Sequence, residues 1–176
     1  RVVDEKGVEV PADGTTLGEI TVRGNVVMAG YYNDPEATAA AVKDGWFHSG
    51  DAAVVHPDGY VEIRDRFKDV IISGGENISS VELEGCLLTH PAVQESAVVG
   101  MPHEKWGESP HAFVVLKQGA QATEDELKEH VRSQLAHFKT PQAVSFVEEL
   151  PKTATGKVQK YVLRQFAQLL PHDVEA

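Results

Sequence analysis

Two patterns of apolar and polar positions follow one another along the chain. In the first third, short apolar stretches alternate with turn signals. The strands predicted over residues 52–55 and 60–63 flank His56-Pro57-Asp58-Gly59, which indicates a hairpin. One short helix is predicted in this part, because Asp34 can cap its start and Pro35 suits its first turn. The first part is therefore predicted to be mostly β structure.

The second pattern alternates strands with helices. Strands are predicted over residues 93–99, 112–116 and 143–147. Helices are predicted to begin at Ser79 and Thr123, because each is followed three residues later by a glutamate, the spacing of a capping box. A last helix is predicted over residues 158–170, with Val162, Phe166 and Leu169 inward. These elements predict an α+β domain, with a three-stranded core sheet and flanking helices.

A single stretch joins the two patterns. Residues 64–84 read RDRFKDVIISGGENISSVELE: a charged joint, a β-branched strand, a glycine turn and a helix start. Arg66 and Lys68 lie in the joint, where a change in one backbone angle would swing everything that follows. We place the domain boundary here, with residues 1–66 in the first domain and 67–176 in the second.

Composition narrows the possible functions. The chain has 176 residues and a formal net charge of -11, so nucleic acid and anionic membranes are poor partners. Positive charge nevertheless clusters locally, either as a solvated helix face or as a binding surface. The cluster consists of Lys152, Lys157, Lys160 and Arg164. Cys86 is the only cysteine, which excludes an internal disulfide and favours the cytoplasm. No apolar run is long enough to span a membrane, and the histidines have no metal-ligand spacing.

Three motifs in order reveal a resemblance. Residues 64–84 are preceded by Gly45-Trp46-Phe47-His48-Ser49-Gly50-Asp51 and followed by Pro151-Lys152-Thr153-Ala154-Thr155-Gly156-Lys157. Together they resemble the adenylate-forming enzymes, which include acyl-CoA synthetases, firefly luciferase and peptide-synthetase adenylation domains. The resemblance covers nearly the whole chain. It implies the C-terminal part of an acyl-CoA synthetase, in which residues 1–66 end the β-rich subdomain of a large N-terminal domain and residues 67–176 form a mobile lid.

The resemblance implies an ATP-dependent, AMP-forming ligation of a carboxylic acid, expected to be a fatty acid, to CoA. Mg²⁺ would be bound mainly by the N-terminal domain, and a homo-oligomer is expected to form through the same domain. The family's glycine-rich phosphate loop is not in this sequence, so the chain alone is expected to be inactive. Two alternatives stay open. One is another adenylate-forming enzyme, luciferase-like or a carrier-protein ligase, and the other is a non-catalytic binding module with the lid fold.

Nucleotide-binding residues follow from the same resemblance. It implies that Asp51 binds the ribose of ATP and of the acyl-adenylate, and that Arg66 contacts the ribose or a phosphate. It implies that Lys157 binds ATP and is the catalytic residue of adenylation. Read without the family, Asp51 is a turn-forming residue, Arg66 an ion-pair partner of Asp65 or Asp69, and Lys157 an ordinary helix-start lysine.

The resemblance also implies a hinge and a CoA site. Lys68 matches the hinge position about which the lid rotates between the two half-reactions. The implied CoA-binding residues are Ser73, Gly74, Gly75, Glu76, Asn77, Trp106, Phe138 and Lys139. The glycine turn would line the tunnel for the pantetheine arm, and Trp106 would either stack on adenine or cap the core. Relatives often have a basic residue after Phe-Lys, where this chain has Thr140, so Lys139 would supply the phosphate contact.

Overall fold

The computed structural model describes residues 1–169, which form two compact units. The first is Arg1–Lys68 and the second begins at Asp69, so the division falls inside the charged joint. None of the helices in the described residues is both long enough and apolar enough to cross a membrane. Each unit has its own sheet.

The first unit is an antiparallel sheet with one short helix. Its elements are β1 (Val2–Val3), β2 (Gly18–Val22), α1 (Pro35–Ala41), β3 (Val42–Lys43), β4 (Trp46–Val55) and β5 (Val61–Arg66). The strand order is β1-β2-β4-β3, and β5 pairs with β4 as the predicted hairpin. Helix α1 begins where predicted, because the Asp34 carboxylate accepts the Ala37 N–H at 2.8 Å. Asp44 and Gly45, at φ +51° and +77°, form the two-residue turn that joins β3 to β4.

The second unit confirms the predicted α+β class. Its elements are β6 (Ile71–Ser73), β7 (Glu76–Ile78), α2 (Ser80–Leu88), β8 (Val93–His103), β9 (Gly107–Leu116), α3 (Glu124–Gln134), β10 (Ala143–Phe146) and α4 (Lys160–Leu169). The sheet has five strands rather than the predicted three. The β8, β9 and β10 strands are the predicted core, and the glycine turn folds β7 back on β6 as a hairpin. This hairpin joins the sheet where Ser73 pairs with Gly107.

Alternate residues of this sheet face two separate apolar clusters, as the strand period requires. One face packs on α2 and α3, through residues such as Leu87 and Leu127. The other face packs on α4 through Leu163 and Ala167, each 1% exposed. The predicted inward face of the last helix was therefore wrong, since Phe166 is 54% exposed. Residue 170 and the Leu169 side chain lie outside what the structure describes.

Candidate functional site

Asp51, the aspartate of the Ser-Gly-Asp motif, lies in the middle of β4, opposite Arg66 on β5. Its carboxylate pairs with the Arg66 guanidinium, with Asp51 Oδ1 2.9 Å from Arg66 Nε. The two side chains are 29% and 55% exposed, so both remain accessible to a ligand. A carboxylate accepts hydrogen bonds from hydroxyls, and a guanidinium has further N–H groups to donate to an anion. The structure thus brings together the two residues predicted for ribose and phosphate.

A glutamate that sequence reasoning missed holds the backbone beside Asp51. Glu19 on β2 accepts the Gly50 N–H at 2.9 Å and lies 2.6 Å from the His48 ring nitrogen Nδ1. Gly50 lies within β4, immediately before Asp51, and has φ +73°, a backbone conformation that favours glycine. Glu19 is 31 residues from Gly50 in sequence, and no local pattern links the two.

Lys68 lies in a 3₁₀ turn, Phe67–Asp69, at the end of the first unit. Asp69, the next residue, is 8% exposed and begins the second unit. Its carboxylate pairs with Arg164 of α4 at 2.5 Å. The predicted hinge residue is therefore next to a buried, ion-paired carboxylate that belongs to the following unit.

The predicted pantetheine turn is the tight turn between β6 and β7. Gly74 and Gly75 have φ +60° and +89°, and the Gly74 N–H donates to the Trp106 carbonyl at 2.8 Å. A Cβ at Gly74 would lie 3.0 Å from Trp106 Cε3, whereas a Cβ at Gly75 would meet nothing within 4 Å. The Trp106 ring thus packs on Gly74, and this contact alone would favour glycine at that position. Only Gly75 of the pair leaves open space beside the backbone.

The other residues predicted for CoA have mixed surroundings. Ser73 ends β6, and Glu76 and Asn77 lie on β7 with exposed side chains. Trp106 is 47% exposed, with the Lys105 ammonium 4.5 Å from its ring centroid. Exposed rings of this kind suit stacking on a ligand.

The predicted phosphate contact is already paired. Lys139 and Phe138 lie in a 3₁₀ turn, His137–Lys139, and Phe138 is 45% exposed. The Lys139 ammonium is 2.5 Å from Glu82 Oε2, and its side chain is only 20% exposed. A phosphate at Lys139 would have to compete with this carboxylate.

Lys157 lies in a closed loop before α4. The loop is closed at its base by a bridge between Lys152 and Val158 and by the Gln159 N–H, which donates to the Pro151 carbonyl at 2.8 Å. Inside it, the Thr153 hydroxyl accepts the Lys157 N–H at 3.2 Å. Gly156 turns the chain at φ +84°. The backbone at Lys157 is therefore fixed, while its side chain is exposed.

The four clustered cations in and after this loop differ in whether a carboxylate pairs with them. Lys152 pairs with Glu95 at 2.6 Å, Lys160 with Glu84 at 2.7 Å, and Arg164 with Asp69. Among residues 1–169, no carboxylate lies within ion-pair distance of Lys157. Of the four clustered cations, Lys157 is thus the one whose charge is available to a ligand.

Cys86 and the grouping of possible metal ligands are the remaining features of the described residues that bear on chemistry. Cys86 is 8% exposed, and burial, with a further contribution from the charge of Glu82, raises the pKa of its thiol. A buried thiol that resists ionisation is a packing residue rather than a nucleophile. Within residues 1–169, no three His, Cys, Asp or Glu side chains are grouped so as to hold a metal ion.

Comparison with known proteins shows which family the second unit resembles. Residues 82–157, from the glutamate paired with Lys139 to the exposed lysine, match the family model of the AMP-binding enzyme C-terminal domain. The match covers less than half of the chain. The predicted resemblance to the adenylate-forming enzymes is thereby confirmed.

Similar proteins include two ligases from Humulus lupulus. The chain is 57% identical to 2-methylpropanoate–CoA ligase CCL4, covering 92% of the chain and 30% of the relative. It is 55% identical to acetate–CoA ligase CCL3, covering 95% of the chain and 30% of the relative. ATP-bound MatB from Rhodopseudomonas palustris has a similar structure, with a TM-score of 0.87 and 41% identity over 96% of the chain and 33% of MatB. The chain thus spans about 30% of the length of the curated relatives.

Proposed function

We propose that the whole protein is an ATP-dependent, AMP-forming acyl-CoA ligase and that this chain supplies its lid and the end of its large domain. The family-model match over residues 82–157 and the relatives named as CoA ligases support the reaction class. The observation that carries the proposal is the exposed Lys157 ammonium, which is unpaired among the described residues while its three cationic neighbours are paired.

Adenylation is the first half-reaction. A carboxylate oxygen attacks the α-phosphorus of ATP, the bond to the β-phosphate oxygen breaks, and pyrophosphate leaves. Negative charge builds on the oxygens around the α-phosphorus, and the ammonium of Lys157 stabilises it. Asp51 accepts hydrogen bonds from the ribose hydroxyls, and Arg66 donates to the ribose or a phosphate. Mg²⁺ would accompany ATP, and we assign it no ligand in this chain.

Thioester formation is the second half-reaction. The sulfur of CoA attacks the acyl carbonyl, the thiol proton is lost, and AMP leaves with the bonding electron pair. The pantetheine arm passes the turn formed by residues 73–77, where Gly75 offers open backbone, and Trp106 and Phe138 offer exposed rings to the nucleotide. Lys139 reaches a phosphate only by exchanging its partner Glu82.

The acyl substrate is a carboxylic acid, and we assign its binding pocket to the part of the protein outside this chain. Acetate and 2-methylpropanoate, the acids named for the two Humulus relatives, are the first to assay, followed by longer fatty acids. A role in fatty acid metabolism, the cytoplasm as compartment and self-association of the whole protein remain predictions from the sequence.

Lys157→Ala tests the proposal in the whole protein. Because the ammonium acts on charge formed only during adenylation, pyrophosphate release should fall by a factor of about 100–1,000. Thioester formation from pre-formed acyl-adenylate and CoA should continue at nearly the normal rate. Single-turnover assays of the two half-reactions measure both effects.

The matched control is Lys152→Ala, because Lys152 lies in the same loop and forms an exposed ion pair that contributes little to stability. If both variants lose pyrophosphate release equally, the loop acts through its overall charge and the role of Lys157 is wrong. If the unmodified protein releases no pyrophosphate with any acid, the binding-module alternative is favoured. Loading of a carrier protein in preference to CoA would indicate a carrier-protein ligase instead.

A further inference from the structure

The residue three positions after Lys157 is held inside the second unit. Lys160 is the first residue of α4, and its side chain is only 15% exposed. Its ammonium lies 2.7 Å from Glu84 Oε1 and donates to the Ser80 hydroxyl at 2.6 Å, both on α2. Glu84 Oε1 also accepts the Val98 N–H of β8 at 2.8 Å. One carboxylate oxygen therefore joins α2, β8 and the start of α4.

A second ion pair holds the same helix one turn later. Arg164 of α4 pairs with Asp69, the residue that follows the predicted hinge. Lys160 and Arg164 lie four residues apart, and Leu163 and Ala167 fall on the same side of the helix. The inward face of α4 thus combines two paired cations with two buried apolar residues.

We propose that the Lys160–Glu84 pair positions the catalytic lysine of the proposed adenylation, on which this inference depends. The base of the Lys157 loop ends at Gln159, so the place where Lys160 is fixed determines where the loop leaves the domain. Lys157 has no described carboxylate partner of its own, so this anchor and the loop's backbone hydrogen bonds hold it. A catalytic group displaced by about 1 Å can lose a factor of about 100 in rate. Lys160 and Glu84 are positioning residues, since they act through Lys157.

Glu84→Gln and Lys160→Met in the whole protein test this role. The glutamine keeps an oxygen for the Val98 N–H but loses the charge that holds Lys160. Each variant should slow pyrophosphate release by up to about 100-fold through misplacement. Thioester formation from pre-formed acyl-adenylate should stay close to normal. Lys160→Arg retains the positive charge and should recover most of the rate.

A double mutant separates positioning from a second direct contact. If Lys160 acts only through Lys157, adding Lys160→Met to Lys157→Ala should cause little further loss of adenylation, because the group it positions is already gone. A multiplicative loss would mean that Lys160 has its own effect on the reaction, and the positioning role would be overturned.

The Lys128–Glu124 pair on α3 is a matched control for lost stability. Lys128 is 19% exposed and lies 2.8 Å from Glu124 Oε1, which accepts the Val144 N–H of β10 at 3.0 Å. Lys128→Met therefore removes the same type of contact at a different place. It should lower the melting temperature as Lys160→Met does and leave pyrophosphate release unchanged.

The outcomes distinguish this inference from the proposed function. If Lys157→Ala abolishes pyrophosphate release and Glu84→Gln leaves it unchanged, the positioning role is wrong and the proposed function stands. If Lys157→Ala has no effect, the proposed role of Lys157 fails first. If Lys160→Met does not fold, Glu84→Gln and Lys160→Arg decide. An equal loss in both half-reactions would assign the pair to stability alone.

Discussion

At the scale of single residues, the two glycines of the β6–β7 turn have different reasons to be glycine. Both have positive φ, which L-residues with a Cβ adopt at a cost of about 1–2 kcal/mol. Only Gly74 also touches a ring, since its Cβ would lie 3.0 Å from Trp106 Cε3. The sequence shows two adjacent glycines but not which of them contacts another side chain. Trp106 is distant in sequence and lies near the turn only because β6 pairs with β9.

Gly74→Ala should therefore cost more stability than Gly75→Ala. Both substitutions introduce backbone strain at a positive φ, and only the first also crowds the Trp106 ring. Urea unfolding should give a free energy of unfolding lower for Gly74→Ala than for Gly75→Ala. In a Trp46→Phe background, which leaves Trp106 as the only tryptophan, the emission maximum should shift for Gly74→Ala alone. Equal losses and unchanged emission in both would show that the Trp106 contact has no energetic weight.

At the scale of elements, local signals predicted starts and turns better than buried faces. Asp34 and Thr123 cap helices as predicted, because a cap needs only residues within one turn. The inward face of α4 was missed because two of its positions are the cations Lys160 and Arg164. A helix face predicted from the spacing of apolar residues puts lysine and arginine on the solvent side. The carboxylates that pair with these two cations, Glu84 and Asp69, are distant in sequence. Glu19 was missed because its partners His48 and Gly50 are also distant in sequence.

The capping box of α3 should make this helix sensitive to acid. Glu126 accepts the Thr123 N–H at 2.7 Å, and this backbone hydrogen bond, followed by the Thr123 hydroxyl, holds the pKa of Glu126 below its ordinary value. A carboxylate with a lowered folded-state pKa stabilises the fold above its unfolded-state pKa, and this contribution is lost as pH falls through the folded-state pKa.

Glu126→Gln should thus reduce the free energy of unfolding at pH 7 and make little difference once Glu126 is protonated in both states. Urea unfolding between pH 7 and pH 3 would measure the gap between variant and parent, which should narrow on acidification. Glu129→Gln is the control, since Glu129 lies on the same helix, is 74% exposed and has only a 3.7 Å contact with Arg132. A gap that stays constant with pH would exclude this titration as its source.

At the scale of the whole molecule, the type of secondary structure changes at the charged joint, residues 64–69. The change from hairpins to alternating strands and helices is visible in sequence because strands and helices have different apolar periods. The units divide between Lys68 and Asp69, inside the stretch where the pattern changes. The number of strands in the second sheet was harder to predict, because β6 and β7 are each three residues long and join through a single pair with β9.

The hinge assigned to Lys68 gives the last prediction. Lys68→Pro fixes φ at this residue, removes its N–H and disfavours helical backbone at Phe67 before it. The 3₁₀ turn Phe67–Asp69 should then be replaced by one restricted backbone conformation. If the two half-reactions require different angles at Lys68, whole protein with this substitution should retain one half-reaction and lose the other. Lys68→Ala removes the same charge without fixing φ, so both half-reactions should survive in it. Separate single-turnover assays and a melting curve for each variant measure these outcomes. Equal losses in both half-reactions of Lys68→Pro, at an unchanged melting temperature, would mean that the joint does not act as a hinge at this residue.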